Sequence, residues 1–345
     1  MKRIIHHALF WPAVTLALLL VASSLFNASF LTIAWRDGHL YGSLIDILNR
    51  AAPLMVVSLG MTLVIAVRGL DISVGAVVAI AAAVAALMIG GHFAATGEVQ
   101  SRYPLWAALT TALAVAAACG LWNGLLVVKA GMQPIVATLI LMVAGRGIAQ
   151  LLTGGQIITV YYPPFFQLGN GFLLGVPVAL WIAGGLWLAL HLLLSRTALG
   201  LFVRSIGGNP EAARVAGVRS RLITVVLYVF CGLTAGVAGL IISSNVKSAD
   251  GNNAGQLLEL DAILAVTLGG TALTGGRFQL AGTVIGALII QTLTSMIYSL
   301  GVPPEVNLVV KAALVFAVML LQSAEFRGIV MRVARGNKPL DGVKP

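Results

Sequence analysis

Ten apolar runs, each close to the length that crosses a bilayer, constrain this chain more than any other feature. A transmembrane helix needs about 20 apolar residues. The chain is 59% hydrophobic and only 9% charged, whereas a soluble domain carries about 25% charged residues. The pattern therefore predicts an all-α, polytopic membrane protein with a single transmembrane domain over residues 1–345. The predicted spans are 8–33, 44–67, 72–94, 104–128, 132–152, 174–195, 222–246, 258–273, 278–300 and 305–323.

Two of these runs differ from an ordinary span. The first, 8–33, follows a basic N-terminus as a signal peptide would. It is too long for the hydrophobic region of a signal peptide, so it is predicted as an uncleaved span. The eighth, 258–273, is short and rich in glycine, which favours a broken or re-entrant helix. Eight or nine full spans would also fit the pattern.

The distribution of Lys and Arg predicts the orientation. With the N-terminus in the cytoplasm and the spans alternating, 15 of the 21 basic residues fall in cytoplasmic segments, three fall outside and three fall within spans. This asymmetry is typical of the positive-inside rule. It places both termini, the loop 196–221 and the basic tail 324–345 in the cytoplasm. The net charge of +10 lies between apolar runs, so we exclude nucleic-acid binding.

The loop 196–221 is a polar island with five Arg residues. Within it, Asn209 is a suitable N-cap, Pro210 suits the first helical position, and Glu211 complements the positive end of a helix. Gly217 is well placed to end that helix. A helix of about two turns is not stable alone in water. The pattern therefore predicts a short cytoplasmic helix that rests on something else, most simply on a partner protein.

A second break in the apolar pattern lies at 67–75, with the sequence VRGLDISVG. Asp71 and Ser73 could cap a helix that starts near Val74. They could also form a polar lining for a transported solute, because ionisable groups within a membrane are costly and usually functional. Both interpretations can hold together.

Other polar or glycine positions within the runs also have two interpretations. Asn123 and Gln150 could hydrogen-bond across helices or contact a hydroxylated solute. Arg146 has no partner nearby in sequence, so it must find one in space or extend to the membrane edge. It is also a candidate for the solute path. Gly269 and Gly270 begin a glycine-dense segment that either packs helices closely or bends the backbone beside a solute path.

Four further charged residues are predicted to have structural roles. Asp46 and Arg50 are four residues apart, so they can pair on one helical face. Glu259 and Asp261 open the eighth run, where acidic groups suit the helix dipole.

Motifs for covalent chemistry or nucleotide binding are missing from the sequence. There is no phosphate-binding G-x-x-x-x-G-K-[ST] loop, no plausible Ser/His/Asp arrangement and no metal-ligand spacing. Cys119 and Cys231 lie in apolar runs and are predicted as buried thiols without a disulfide. We therefore expect a chain that is not an enzyme and binds no cofactor or metal. If it drives transport with ATP, a separate polypeptide must hydrolyse the nucleotide.

Five ordered motifs carry a resemblance to a known family. The chain resembles the membrane permease subunits of bacterial ABC importers for simple sugars, the ribose-type permeases, from about residue 40 to 323. Segments 41–53, 249–263 and 274–278 look most like the galactofuranose permeases among them. The five motifs are GLDISVGAVVAIAA (69–82), GLWNGLLV (120–127), QPIVATLILMVAGRGIAQL (133–151), RTALGLFVRSIGGNPEAARVAGV (196–218) and ELDAILAVTLGGTALTGGRFQLAGTVIGALI (259–289).

The resemblance implies a type II ABC importer in the inner membrane. Two permeases would pack around a central path, as a mixed pair in galactofuranose-type systems. ATPase subunits, which bind ATP and Mg²⁺, would dock below, and a periplasmic sugar-binding protein would dock on the outer loops 153–173 and 248–257. Alternating access would then move the sugar without chemistry on it.

The short helix of the cytoplasmic loop would be the coupling element that receives work from the ATPase. Its small residues Ala212, Ala213 and Ala216 would fit a groove on the ATPase. Arg214, Arg219 and Arg221 would reach acidic or carbonyl groups there. The residues carried over to this role are Asn209, Pro210, Glu211, Ala212, Ala213, Arg214 and Gly217. Arg68 and Phe278 depart from the ribose-type pattern, and Arg68 either anchors the cytoplasmic edge or faces the path.

Three alternatives stay open on the sequence. The same fold could import ribose, another pentose or hexose, or branched-chain amino acids. An ion-coupled secondary transporter would need intramembrane carboxylates as a relay, and Asp71 is the only acidic residue placed away from the outer interface. A membrane-embedded enzyme would need a catalytic pair at a membrane face, and the sequence offers none.

Overall fold

The computed structural model describes residues 9–26, 30–36, 38–90, 92–93, 99–301 and 303–322. The N-terminal residues 1–8 and the basic tail predicted at 324–345 lie outside the described residues. The helices are α1 Phe10–Phe26, α2 Ser43–Ala66, α3 Val74–Ile89, α4 Leu105–Val128, α5 Pro134–Thr153, α6 Pro163–Asn170, α7 Val178–Arg196, α8 Leu199–Gly208, α9 Pro210–Val215, α10 Ser220–Val246, α11 Leu258–Leu268, α12 Leu280–Ser299 and α13 Pro304–Gln322.

Each of the ten predicted runs contains one helix, which confirms the all-α polytopic fold. Six of these helices (α2, α4, α5, α7, α10 and α12) are long and apolar enough to cross a membrane. The prediction of a short eighth helix is confirmed, because α11 has only 11 residues. Helix α3 is also short, with 16 residues. The sequence analysis did not predict α6 and α8, which lie in segments that it assigned to loops.

Helices α2 and α10 form the centre of the bundle. The most apolar window of α2 is 83% buried, whereas that of α7 is only 17% buried. Small residues allow this close approach, since a Cβ on Gly60 would overlap Thr234 of α10. On the opposite side, Thr62 and Thr283 share a hydrogen bond of 2.8 Å between their hydroxyls, joining α2 to α12. The outer faces of α4, α5 and α7 are therefore apolar surfaces that the rest of the described chain leaves uncovered.

Glycines let α11 and α12 pack backbone to backbone. A Cβ on Gly282 would overlap the carbonyl oxygen of Gly269, and one on Gly286 would overlap that of Ala265. Gly269 thus has the packing role that the sequence left as one of two interpretations. Gly270 differs, because it is exposed and adopts a positive φ of +87° at the turn after α11.

The two predicted outer loops are joined by a short antiparallel strand pair, Ile158–Thr159 with Ser248–Ala249. Helix α6 packs on the end of α10 beside it. The hydroxyl of Ser244 donates to the carbonyl of Phe165 at 2.7 Å and accepts from the backbone N–H of Gly169 at 2.8 Å. Segments 158–170 and 244–249 therefore form one ordered cap at this end of the bundle. The other described strands are three-residue or two-residue hairpin arms, at Ala34–Arg36 with His39–Tyr41, His92–Phe93 with Val99–Gln100, and Phe172–Leu173 with Val176–Pro177.

Candidate coupling site and buried polar cluster

The short helix α9 begins as the sequence predicts. The side-chain oxygen of Asn209 accepts hydrogen bonds from the backbone N–H groups of Glu211, at 3.1 Å, and Ala212, at 3.0 Å. Pro210 occupies the first helical position, where its missing N–H costs nothing. The predicted N-cap is confirmed, and two of the unsatisfied donors at the start of the helix are paired.

The end of α9 is also fixed locally. Gly217 adopts φ +85°, its N–H donates to Arg214 O at 3.0 Å, and the N–H of Val218 donates to Ala213 O at 3.0 Å. These two bonds form a Schellman motif, which favours glycine because a Cβ is strained at positive φ. The predicted stop at Gly217 is confirmed. Helix α9 is therefore closed at both ends by its own sequence.

One face of α9 is exposed and the other is buried. The sequence analysis expects Ala213 to fit a groove on an ATPase, but its side chain is 4% exposed and packs in a core with Val203, Ile206 and Leu227. Ala213 therefore supports the helix from within. Ala212 remains exposed, and Val215, which the sequence analysis did not single out, is 77% exposed.

Glu211 and Arg214 form an ion pair on the exposed face of α9. The Nε of Arg214 donates to both carboxylate oxygens of Glu211 at 3.1 Å. The hydrogen bond from Arg214, with its charge, lowers the pKa of Glu211. An acidic group of a partner would therefore have to displace Glu211 in order to pair with Arg214.

Behind α9, three backbone segments meet at Arg68. The Nε of Arg68 donates to the carbonyl of Gly207 at 2.6 Å, and its Nη2 donates to the carbonyl of Gly208. Gly207 and Gly208 end α8 and lead through one residue into α9. The backbone N–H of Gly276 donates to Ala66 O, the end of α2, at 2.9 Å. We name this meeting point, residues 66–68, 207–208 and 275–276, the Arg68 junction.

The Arg68 junction leaves no room for side chains on Gly207 and Gly275. A Cβ on Gly207 would overlap Ala66 O and the backbone nitrogen of Gly276, and one on Gly275 would lie 2.7 Å from Cγ of Arg68. Arg68 itself adopts φ +65°, a strained conformation for a residue other than glycine. Of its two sequence interpretations, the structure supports the anchor, since the guanidinium binds carbonyls of the loop 196–221.

Asp71, Ser73 and Asn123 form a closed polar cluster beyond this junction. One carboxylate oxygen of Asp71 accepts from the backbone N–H of Ser73 at 3.0 Å, from its hydroxyl at 2.6 Å and from the Asn123 amide at 3.2 Å. The same amide donates to the Ser73 hydroxyl at 2.8 Å. All three side chains are at most 1% exposed. Their place on a solute path stays a prediction, since they face the interior of the chain here.

The predicted helix start is confirmed, but neither Asp71 nor Ser73 caps the helix with its side chain. Helix α3 starts at Val74, where the sequence places it, and Ser73 occupies the N-cap position. The Ser73 side chain makes no capping bond, because its hydroxyl is engaged with Asp71. Asp71 instead closes the turn by accepting the N–H of Ser73.

Arg146 and Gln150 lie apart from that cluster and hold the turn 250–257. The guanidinium of Arg146 donates to the carbonyls of Ala254, at 2.7 Å, and Asn252, at 3.2 Å. The amide of Gln150 donates to the side-chain oxygen of Asn252. The prediction that Arg146 must find a partner in space is confirmed. The residues predicted to line a solute path therefore lie at three separate places. Arg146 and Gln150 hold this turn, Asp71 lies in its cluster with Ser73 and Asn123, and Gly269 and Gly270 lie where α11 meets α12.

A family model described as "Branched-chain amino acid transport system / permease component" matches residues 43–319. This range includes the loop 196–221, the Arg68 junction, the Asp71 cluster and the turn 250–257. The chain belongs to this permease family.

The permease is also similar to curated relatives along nearly its whole length. It is 47% identical over 333 residues to the galactofuranose transporter permease protein YtfT of Escherichia coli K12, covering 95% of both chains. It is 35% identical to the fructose import permease protein FruF of Bifidobacterium longum, over 97% of this chain and 93% of the relative. It is 35% identical to the ribose import permease protein RbsC of E. coli K12, over 90% and 92%. No solved structure matches significantly.

The permease also pairs charges that sequence reasoning did not join. The Nζ of Lys311 on α13 lies 2.6 Å from a carboxylate oxygen of Asp261 on α11, and both side chains are largely buried. Two opposite charges in separate apolar runs were the only signal. The expected pair of Asp46 and Arg50 is wrong: both side chains are exposed, and no ion pair joins them in the described structure.

Glu259 opens α11 as predicted, but its environment is unusual. Its side chain is 4% exposed, and one carboxylate oxygen has no hydrogen-bond partner among the described residues. It faces Gly75 at the start of α3, where a Cβ would overlap that oxygen. The first turns of the two short helices therefore lie against each other.

Proposed function

We propose that this chain is the membrane-spanning subunit of an ATP-driven importer for a simple sugar, with galactofuranose as the first candidate. The observation that carries the proposal is a connection made by the Arg68 junction. It links the capped helix α9 to the break between α2 and α3 and to the break between α11 and α12. The relatives named for galactofuranose, fructose and ribose support a sugar as the cargo.

Helix α9 is suited to receive force from a separate ATPase that binds ATP and Mg²⁺. Its caps hold it as a rigid unit, and its exposed Ala212 and Val215 offer a small apolar contact. Only Asn209 separates α9 from α8. A displacement of α9 is therefore transmitted to the end of α8 with little loss in a flexible linker.

The Arg68 junction would pass this displacement to the membrane-spanning part. Arg68 holds the end of α8, and the residues that follow it lead through Asp71 to the start of α3. Gly276, bonded to Ala66, leads to the start of α12. Because the short segments that lead into α3 and α12 both leave this junction, the two helices would move together. Such rocking of helix groups at broken segments is how alternating access opens a path to one side at a time.

At the opposite end, we propose that the cap of segments 158–170 and 244–249 receives a sugar-binding protein. The strand pair and the Ser244 bonds give this surface a fixed shape. Two permease chains, of this kind or homologous, would enclose the path. The permease itself would make only weak contacts with the sugar, because a tightly held solute does not leave. We also propose that the loop 196–221 and both termini lie on the cytoplasmic side of a bacterial inner membrane.

The test is reconstitution of the permease with its ATPase, second permease and binding protein in proteoliposomes. We expect uptake of radiolabelled galactofuranose that needs ATP and the binding protein and survives an uncoupler. Uptake by the permease alone, or uptake abolished by the uncoupler with ATP present, would contradict the proposal.

Branched-chain amino acids are the second candidate cargo, because the family description names them. The same proteoliposomes distinguish the two. Labelled leucine is offered in place of the sugar, with each binding protein that the host supplies. ATP-dependent leucine uptake without sugar uptake would reassign the cargo while keeping the mechanism.

A further inference from the structure

Two adjoining cavities lie at the end of the bundle that carries the loop 196–221. The larger, of about 750 Å³, is lined by Arg204, Arg277, Phe278 and Gln279, with three glycines. The smaller, of about 260 Å³, shares Arg204, Phe278 and Gln279 with it and continues along apolar residues. The two together form one groove with a basic end and an apolar end.

The basic end has no anion to balance it. Arg204 and Arg277 are both exposed, and the described residues place no carboxylate within ion-pair distance of either. The guanidinium of Arg204 lies over the Phe278 ring, 5.5 Å from its centroid. This contact orients Arg204 while leaving its charge uncompensated.

The other end is mostly apolar. It is lined by Leu9, next to the start of α1, by Leu280 and Ala281 at the start of α12, and by Leu194 near the end of α7, where His191 and Ser195 of the same helix also line it. A soluble anion has no group to fill this half of the groove. Residues 1–8, which precede Leu9, contain two basic residues and no carboxylate, so their charge does not complement the site either.

We propose that this groove binds an anionic phospholipid, with the phosphate headgroup between Arg204 and Arg277 and an acyl chain along Leu194 and Leu280. Basic pockets between membrane helices on the cytoplasmic side are known to select such lipids. Gly208 and Gly276 line the groove and also belong to the Arg68 junction. A bound headgroup would therefore bridge α8 and the α11–α12 turn beside the junction and stabilise one arrangement of it.

The experiment uses the purified permease without ATPase or binding protein, so it is independent of the proposed function. Native mass spectrometry would measure binding of phosphatidylglycerol and of phosphatidylcholine with the same acyl chains. Each Arg near a lipid phosphate contributes about fivefold in affinity. We expect Arg204→Gln and Arg277→Gln each to lower phosphatidylglycerol binding about fivefold, and the double variant about 25-fold, with phosphatidylcholine binding unchanged.

Arg219→Gln is the matched control, because it removes the same charge from an exposed position of the same loop outside the groove. We expect it to bind phosphatidylglycerol as the unchanged permease does. Equal binding of the two lipids, or an equal loss in Arg219→Gln, would overturn the proposal. Inorganic phosphate that displaces phosphatidylglycerol at equal concentration would also overturn it, because the apolar end would then contribute nothing. All variants must keep the thermal unfolding midpoint of the unchanged permease. A variant with a lower midpoint is replaced by the corresponding Arg→Lys change. Because Lys keeps the charge, we expect that change to retain most of the phosphatidylglycerol binding.

Discussion

Replacing Arg68 tests whether the Arg68 junction transmits motion or only adds stability. Its guanidinium bonds to the carbonyls of Gly207 and Gly208, and its backbone is strained at φ +65°. Arg68→Gly removes both the bonds and the strain. Arg68→Ala removes the bonds and keeps the strain. The two variants therefore lose the same anchor but differ in stability.

The magnitudes follow from these contacts. A hydrogen bond from a charged donor contributes about 1.5–3 kcal/mol, and the bond to Gly208 is exposed, so the pair contributes about 2–3 kcal/mol. Positive φ costs a residue with a Cβ about 1 kcal/mol relative to glycine. We expect the free energy of unfolding to fall by about 2–3 kcal/mol in Arg68→Ala and by about 1–2 kcal/mol in Arg68→Gly.

The assay is the ratio of sugar imported to ATP hydrolysed, measured in proteoliposomes with the ATPase and binding protein present. We expect both variants to keep ATP hydrolysis and to lose most of the uptake, by the same factor. Arg68→Lys keeps the charge but cannot bond both carbonyls as a planar fork, so we expect it to be intermediate. Uptake that followed stability, with Arg68→Gly close to the unchanged permease, would refute the reasoning.

Three more substitutions test the remaining contacts. We expect Glu211→Arg to insert normally but to hydrolyse ATP without uptake, because it reverses the charge at the start of α9; undiminished uptake would count against α9 as the coupling helix. Gly217→Ala should cost about 1 kcal/mol at positive φ and weaken uptake partly, whereas an unchanged unfolding midpoint would contradict the Schellman assignment. Lys311→Met should lower stability by about 1–2 kcal/mol by leaving the partly buried Asp261 unpaired, and adding Asp261→Asn should restore most of it; no restoration would mean that the two charges are not coupled.

Asp250 lies outside the membrane-spanning helices and makes the stability of the turn 250–257 depend on pH. Burial raises its pKa, but hydrogen bonds from Asn253 and Asn252 outweigh this, so the net pKa is lowered. The stabilising effect of its charged form is therefore present above its ordinary pKa and is lost as the pH falls through the lowered value. We expect the turn 250–257, which Arg146 also holds, to lose order as the pH falls from the ordinary pKa of Asp250 through its lowered pKa, and to stay ordered at neutral pH.

The structural features that depend on residues close together in the sequence could be predicted from the sequence alone. The apolar runs predict ten helices, because a segment of that length without charges has no alternative to a helix in lipid. The caps at Asn209 and Gly217 depend on residues within one turn, so spacing alone indicates them. The break before Val74 and the short α11 follow in the same way from the placement of polar residues and glycine.

Contacts between distant segments were decided only by the tertiary structure. Arg68 meets Gly207, 139 residues away, and Arg146 meets Ala254, 108 residues away. Nothing in the spacing of either arginine indicates its partner, because the register and rotation of packed helices bring those carbonyls within reach. The same packing turned Ala213 inward, closed Asp71 against Asn123 and joined Asp261 to Lys311. Sequence determined the two ends of α9 and the start of α3, since those are local free energies, and the fold determined which polar groups meet, since that depends on all the helices at once.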